Sequence, residues 1–548
     1  MWDSEFGELE DTSTPDQGGL VYLMVRNTTN GTLSIADVDV QDQQGASQTF
    51  DGWFAWPDTM AAGAMTTIMV KAINAPLAEG DDARIVVTTS DNVAHTYDLN
   101  DLTTPDLRLA NAIPSQDRET LWLYVRNDGS ADIELDSLYL NDLAYRIPSG
   151  QLVTLYGSDV LEVGEMRIIR VRLGLDLSDL ATYAIRVRYN GSQWVSASIR
   201  ITPPEYPIGS CDSSGATQGN KFGLKLIHKV GLEILQGLGN YHHIANSIQE
   251  YFTRAIREPY FGETFDPNNA IPEIQAQSDN TDIIVWTIDD EPDLNGKPID
   301  QQLIKAATFR NNDDDTPIHI NLAVQKKFQR YGWYSDIVSM DHYAAPSAPN
   351  VIPLTYIPFI GRMSEIEEAY AYSHQLKLNT EPRRMWSWVQ FAASTWDVQP
   401  EPIAVNYQFW AHVAAGAKGL EYFVAQSQTQ DEFPELWAEG LELFKEFKQI
   451  RYACLYGEPA DIVTSSNPAV KTYALLGPDA IVVIAVNNSV TFSGNQLTGF
   501  NTDHSPQVYG PTLTYPDWFP LGDLYQVSPN GKVPIDNTTN TATHQIHM

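Results

Sequence analysis

Short runs of alternating apolar and polar residues fill the first two hundred positions, and they occur twice. Val21-Tyr-Leu-Met-Val-Arg-Asn27 returns as Leu121-Trp-Leu-Tyr-Val-Arg-Asn127, about 100 positions further on. Leu33, Ile35, Val38 and Val40 find counterparts in Ile133, Leu135, Leu138 and Leu140, and Ile85 in Ile185. A period of two marks strands with one wet face, and turn clusters such as Asn127-Asp-Gly-Ser130 separate them. A repeat of this size and rhythm predicts two tandem β-sandwiches of immunoglobulin-like size, residues 1–101 and 102–203. Their expected role is that of a spacer or buttress; Trp53, Trp56 and Trp194 are the aromatics from which a sugar-binding platform could be built.

The pattern changes after Thr202-Pro-Pro-Glu-Tyr-Pro207. Apolar runs of strand length now alternate with helical stretches, the rhythm of a parallel sheet closed by helices. Expected strands are Ile208–Cys211, Leu232–Gln236, Ile283–Ile288, Ile318–Ala323, Ile337–Met340, Met385–Val389 and Leu420–Val424, with an eighth between Tyr260 and Thr264. Expected helices are Ile299–Arg310, Met363–Leu376, Ile403–Ala417 and Pro434–Tyr452. Eight such units over residues 204–456 predict a (β/α)8 TIM barrel. A doubly wound open sheet is the competing fold, but Gly209-Ser-Cys-Asp-Ser-Ser-Gly215 lacks the spacing of a phosphate-binding loop. Residues 457–548 return to short strands and predict a small C-terminal β-sandwich. The chain is therefore expected to be multidomain.

Charge narrows the function. Against 34 Lys+Arg stand 70 Asp+Glu, a formal net charge of −36. No basic stripe is available to neutralise phosphates, which argues against nucleic acid, and the acidity disfavours anionic membrane surfaces. The acidity is spread over every domain and reads as a strongly hydrated surface. The longest apolar run, Ala480–Val486, is too short to span a bilayer, so no membrane insertion is expected. Two cysteines, Cys211 and Cys454, form neither a disulfide framework nor a zinc site. The expected places, top of the barrel for Cys211 and bottom for Cys454, argue against a bond between them. No metal and no cofactor is expected. Met1-Trp-Asp-Ser-Glu5 has none of the features of a signal peptide, and a secreted or periplasmic location is expected for a chain trimmed to its mature form.

In a barrel of this kind the chemistry sits at the C-terminal ends of the strands. After Ile283-Ile-Val-Trp-Thr-Ile288 comes Asp289-Asp-Glu-Pro-Asp293, four carboxylates in five residues. Mutual repulsion tends to raise the pKa of at least one, as a general acid near neutral pH requires. The bland alternative, an acidic surface turn, leaves the strand-end position unexplained.

At this point the central region resembles the barrel glycoside hydrolases. Trp286-Thr-Ile-Asp-Asp-Glu-Pro292 is similar to their strand-four ending, where an Asn-Glu or Asp-Glu pair before Pro supplies the acid/base Glu. Asp336-Ile-Val-Ser-Met-Asp-His-Tyr343, Met385-Trp-Ser-Trp-Val-Gln-Phe391 and the run from Tyr407 to Phe423 resemble their strands six, seven and eight. The resemblance covers roughly Tyr206 to Tyr452 and implies a retaining-clan glycosidase with Glu291 as general acid/base. One position departs: the clan's nucleophile Glu at the end of strand seven is Gln390 here. The second carboxylate must therefore be Asp341 or Glu421. Asp290 offers another route, because an Asp-Glu pair at this place also occurs in substrate-assisted β-N-acetylhexosaminidases, where the substrate's acetamido group attacks. The remaining alternative is a non-catalytic carbohydrate-binding or surface protein.

Stacking partners for a pyranose are expected in Tyr343, Trp388, Trp396 and Tyr422, with His342, Gln390 and His242 as polar partners. Arg383-Arg384 begins strand seven and is expected at the bottom of the barrel. Asn311-Asn-Asp-Asp-Asp315 is expected to be a solvated loop. The expected partner is a polysaccharide or its oligosaccharides; oligomeric state, sugar identity and linkage are not encoded in any motif found here.

Overall fold

A computed structural model describes residues 4–9, 20–27, 29–50, 52–56, 58–62, 65–71, 83–98, 106–141, 143–146, 152–172, 177, 182–211, 233–238, 254–258, 265–341, 365–391, 402–423, 433–467, 470–487, 490–493, 496–500, 508–509, 512–516, 518–520, 522–535, 541–543 and 546–547. The chain divides into two compact units. One is Met1–Pro203 with Lys326–Trp333, the other Pro204–Gln325 with Tyr334–Met548.

In the first unit the repeat is visible strand for strand. The four-stranded sheet of Ser4–Leu9, Leu20–Arg26, Met65–Lys71 and Gly52–Trp56 has the order of Leu107–Pro114, Thr120–Asn127, Met166–Arg172 and Leu152–Leu155. The opposing sheets correspond likewise, Leu33–Asp42 beside Ala83–Thr89 and Ile133–Leu140 beside Thr182–Tyr189. The alternation Ala83-Arg-Ile-Val-Val-Thr-Thr89 buries every second residue, which is how the pattern selects the strand. Each copy encloses its own apolar core, centred on Leu23, Val38, Ile68 and Ile85 in one and Leu123, Leu138, Ile169 and Ile185 in the other.

The last residue of the repeated motif ties each copy together. Asn27 Nδ2 donates to the carbonyls of Gly31 at 2.7 Å and Met60 at 3.0 Å; Asn127 Nδ2 donates to Ala131 at 2.8 Å and Leu161 at 3.1 Å. A buried amide that satisfies one backbone acceptor in a turn and one on a strand fixes their spacing. Trp194 does not offer an open platform: the Arg186 guanidinium lies 4.3 Å from its ring centroid, and Tyr139 packs beside it at 5.3 Å. Trp53 packs against the core of the first copy.

In the second unit eight parallel strands close into a barrel. They are Ile208–Cys211, Ile234–Leu238, Arg254–Glu258, Ile283–Asp290, Ile318–Leu322, Ile337–Met340, Arg384–Gln390 and Leu420–Phe423, here barrel strands one to eight. Helices follow strand three (Pro267–Gln275), four (Ile299–Asn312), six (Glu365–Thr380), seven (Pro402–Ala414) and eight (Pro434–Lys448). Strand five is followed by the single turn Phe328–Gly332. The connections after strands one and two lie outside the described residues. Among the described residues no helix is long and apolar enough to cross a membrane.

Two expectations need correction. Strand three is Arg254–Glu258, whose run Arg-Ala-Ile-Arg-Glu carries too few apolar residues to announce itself, while the segment between Tyr260 and Thr264 where a strand is expected lies outside the described residues. The loop Asn311–Asp315 is not solvated throughout. Asp313 is buried, accepts from Trp286 Nε1 at 2.7 Å and from the Asp315 and Thr316 amides at 3.2 and 3.1 Å, and so ties the turn to strand four.

Helix Pro434–Lys448 shows how the barrel is wrapped. Pro434 opens it, Lys445 and Lys448 close it, and Leu436, Trp437, Gly440, Leu443, Phe444 and Phe447 form its buried stripe. Gly440 is required by a close approach, since a Cβ there would meet the Phe391 ring at 2.6 Å. Beyond the barrel, Glu458–Ala460, Val470–Leu476 and Ile481–Asn487 form one antiparallel sheet and Thr464–Ser465, Thr512–Thr514 and Thr541–Thr543 another. Val463, Ala474, Leu513 and Tyr515 form their common core.

Candidate active site

Strand four sets the site through a break in its register. Trp286 faces the helices, its ring 5.5 Å from Phe309, while Thr287 faces the interior and meets His319 Nδ1 at 2.9 Å. Simple alternation would then send Asp289 inward and Asp290 outward. The pairing with strand five slips between Thr287 and Asp289, and this bulge reverses the phase. Asp289 therefore points at the helix layer, where it pairs with Lys297 and Lys305 and accepts from Gln302 Nε2 at 2.7 Å. Burial pushes its carboxyl up, but the two ammonium groups outweigh that and hold it below the usual range. Asp290 turns inward and accepts from Asn321 Nδ2 at 2.9 Å. Desolvation raises its pKa, and the bond from Asn321 only partly offsets this.

The next residue changes the direction of the chain. Glu291 has φ +44°, a left-handed backbone conformation uncommon for any residue but glycine. Its amide donates to the Asn321 carbonyl at 3.0 Å, and its own carbonyl accepts from the Asn295 backbone and side-chain amides at 3.0 and 2.9 Å. Such over-determination is what a strained residue needs to persist. Asp293 is structural. Fully buried, it accepts from the amides of Leu294 at 2.9 Å and Val324 at 2.7 Å. Of the four carboxylates in the run, only Asp290 and Glu291 remain for chemistry.

Two further carboxyls join them from other strands. Asp341 follows strand six on the face that carries Ser339, and it interacts with Glu291 as a pair. Burial raises both; Glu291's charge raises Asp341 further, while the hydrogen bond from Asp341 pulls Glu291 back. The two carboxyls therefore titrate as a pair, both pushed up and Asp341 the further of the two. Glu421 lies on strand eight beside Trp388 on one side and Gly209 on the other. It is 1% exposed, and neither of its carboxyl oxygens has a hydrogen-bond partner among the described residues. Burial pushes its pKa well up, and the charge of Asp290 adds to the shift.

Beneath the mouth runs a polar chain that the sequence reading did not anticipate. Ser339 Oγ donates to Asn321 Oδ1 at 2.7 Å, so it accepts from His319 Nε2 at 2.8 Å and from Trp388 Nε1 at 3.2 Å. His319 consequently carries its proton on Nε2 and accepts from Thr287 at Nδ1. Burial lowers its pKa to about 3, so the ring is neutral. Every bond points toward Asn321, whose amide then donates to Asp290. Under this layer Val285, Ile337 and Trp386 close the barrel with apolar side chains. The available signal was the alternation in Ile318-His-Ile-Asn-Leu322 and Ile337-Val-Ser-Met340: polar residues at every second position of a buried run face the barrel interior.

The other expected ligands divide. Trp388 and Gln390 share the inward face of strand seven, Trp388 bonded to Ser339 and Gln390 at the strand's upper end. Tyr422 does not line the mouth. It alternates with Glu421, faces outward and packs on Phe391 at 4.5 Å, Phe444 at 5.7 Å and Phe409 at 6.4 Å, so its ring belongs to the helix layer. Its neighbour Phe423 lies on the inward face, 6.4 Å from Trp388. His242, His342, Tyr343 and Trp396 lie outside the described residues. Among the described residues no cluster of His, Cys, Asp or Glu could hold a metal ion. A separate open groove of about 650 Å³, lined by Tyr370, His374, Asn379 and Lys471, holds none of the strand-end carboxyls.

No family model matches the chain, and neither does any curated protein. Solved structures do show similarity. A β-glucuronidase of an uncultured Clostridium species is 11% identical over 74% of this chain and 81% of its own, with a TM-score of 0.31. A β-D-glucuronidase of Dictyoglomus thermophilum is 11% identical over 78% and 92%, with a TM-score of 0.31. A β-galactosidase of the psychrophilic Marinomonas ef1 is 9% identical over 47% and 62%, with a TM-score of 0.35.

Proposed function

We propose that this chain is a glycoside hydrolase that works at the mouth of the barrel, with Glu291 and Asp341 as its acid/base pair. The observation that carries the reading is the meeting of these two carboxyls at the ends of strands four and six, where they interact as a pair. Glycoside hydrolysis needs two carboxyl groups of unlike role: one to protonate the leaving oxygen, and one carboxylate to attack the anomeric carbon or to activate water. The left-handed turn at Glu291, the bond from its amide to the Asn321 carbonyl and the bonds it accepts from Asn295 hold its backbone at the rim, so orientation is prepaid in the fold. Trp388, Gln390 and Phe423 supply the sugar-facing surface, and His242, His342, Tyr343 and Trp396 are proposed to extend it. The substrate class is a polysaccharide or its oligosaccharides, met outside the cytoplasm. Residues 1–101 and 102–203 serve as supporting sandwiches, 204–456 as the catalytic (β/α)8 barrel and 457–548 as the closing sandwich.

A second reading has one observation in its favour. The bulge turns Asp290 inward beside Glu291, where it could orient a substrate acetamido group in a substrate-assisted hexosaminidase. A thiazoline inhibitor and a strict need for the acetamido group would support it. The main test is Glu291→Gln on a polysaccharide and aryl-glycoside panel: hydrolysis should fall at least about 100-fold with sugar binding retained. Unchanged turnover would overturn the assignment.

A further inference from the structure

Glu421 is the group that the hydrolytic pair does not use. A carboxyl in a barrel wall is expected to be neutralised by a neighbouring strand, and here that explanation fails. Its register partners are Trp388 and Gly209, and neither can neutralise a carboxylate. Outward alternation of Tyr422 and the inward bond of Trp388 to Ser339 place Glu421 on the interior face.

Among the described residues, strand four contributes the charge of Asp290 to the surroundings of Glu421. Strand five offers the neutral His319 and Asn321, and strand seven Trp388 and Gln390. The two lysines nearest the acidic run, Lys297 and Lys305, are held by Asp289 on the other face of the sheet. Lys418, which ends the turn into strand eight, is bound to Glu458 at 3.2 Å and to the Cys454 carbonyl at 3.0 Å. Strands four and eight lie opposite each other in an eight-stranded barrel, and Asp290 and Glu421 both turn to its interior, where the charge of Asp290 acts on Glu421. Two carboxyls turned to one interior, one of them buried with neither oxygen hydrogen-bonded among the described residues, suit a compact cation with several donors.

We propose that Asp290 and Glu421 bind the ammonium group of an amino sugar, so that the barrel takes glycosides of unacetylated hexosamines and rejects uronides. The inference rests on the glycosidase reading for its placement of the sugar, but not for the ion pair itself. An ammonium donates three hydrogen bonds and favours the ionised form of both carboxyls, which a neutral sugar does not. A uronate brings a further negative charge into a site that already repels one.

The experiment is calorimetric titration of the full chain at pH 7 with glucosamine, galactosamine, their parent hexoses and glucuronate, repeated in buffers of different ionisation enthalpy. An amino sugar should bind at least about tenfold tighter than its parent and release protons to the buffer, and glucuronate should bind weakest. Glu421→Gln should bring the amino sugar down to the level of its parent sugar in the same variant; the variant's melting profile confirms that it is folded. Equal affinity of amino sugar and parent, tighter binding of glucuronate, or no binding of either amino sugar would overturn the proposal. Aryl glycosides of the same sugars separate the two readings. Hydrolysis that ignores the amine sinks the inference and keeps the glycosidase. Amine-dependent binding with no hydrolysis of any glycoside keeps the cation site and sinks the glycosidase.

Discussion

The polar chain under the mouth can be tested at its hub by Ser339→Ala. Ser339 Oγ serves three buried partners: it donates to Asn321 Oδ1 and accepts from His319 Nε2 and Trp388 Nε1. Alanine leaves all three without that partner at positions where none is more than 4% exposed. The volume vacated by one hydroxyl is smaller than the ~30 Å³ share of a water, so solvent cannot take its place. Each buried group left unsatisfied costs about 1–3 kcal/mol, which puts the floor near 3 kcal/mol. For a barrel of this size that corresponds to a fall of roughly 6–12 °C in its calorimetric transition. Ser387→Ala is the matched control. Ser387 is also fully buried on the barrel wall, but its Oγ has no partner among the described residues. Removing a hydroxyl with nothing to lose is expected to be neutral or stabilising. Equal shifts for the two variants would refute the hydrogen-bond chain as the organiser of the barrel interior.

Two further outcomes follow from buried charge. Glu458, fully buried, receives Lys377 at 3.0 Å and Lys418 at 3.2 Å; Glu458→Gln strands two buried ammonium groups and should cost about 3–5 kcal/mol in denaturant unfolding, a loss below about 1 kcal/mol being incompatible with the ion triad. Glu421 has a folded pKa raised above its unfolded one, so its contribution is fully present below the unfolded value and is lost as pH rises toward the folded one. Glu421→Gln should therefore match the parent near pH 4 and exceed it at pH 8, the gap growing by up to ~1.4 kcal/mol per pH unit; melting curves across that range that stay parallel would contradict the burial of an unpaired acid.

The parts of the fold that can be read in the sequence are those whose apolar runs are long and continuous. Ile283-Ile-Val-Trp-Thr-Ile288 and Met385-Trp-Ser-Trp-Val389 are buried on both faces, as parallel strands under helices must be, and they stand out. Strand three has only Ala255 and Ile256 between charged residues, too short an apolar run to form a pattern. The repeat is legible because Asn27 and Asn127 make the same bonds in each copy, and a shared role goes with a shared residue type. Tyr422 departs from expectation for a different reason. Which of two adjacent residues enters a barrel depends on the phase of the strand, and Leu420-Glu-Tyr-Phe423 is too short to declare its phase without neighbours.

Phase is also what separates the two acids of strand four. Asp289 and Asp290 are the same residue type, adjacent, and equally close to the strand end. Unbroken pairing with strand five would deliver Asp289 to the mouth, away from Lys297, Lys305 and Gln302, and would press Asp290 into the helix layer. The single slip between Thr287 and Asp289 reverses this. It gives the acid with two lysine partners to the side where lysines are, and the acid with only an amide partner to the side where a raised pKa is useful. It also lets the next residue leave the sheet through a left-handed turn, which brings Glu291 to Asp341. A composition argument sees four interchangeable carboxylates at positions 289, 290, 291 and 293. The backbone gives them four different roles, and the one-residue bulge is the local cause of that division for the first three.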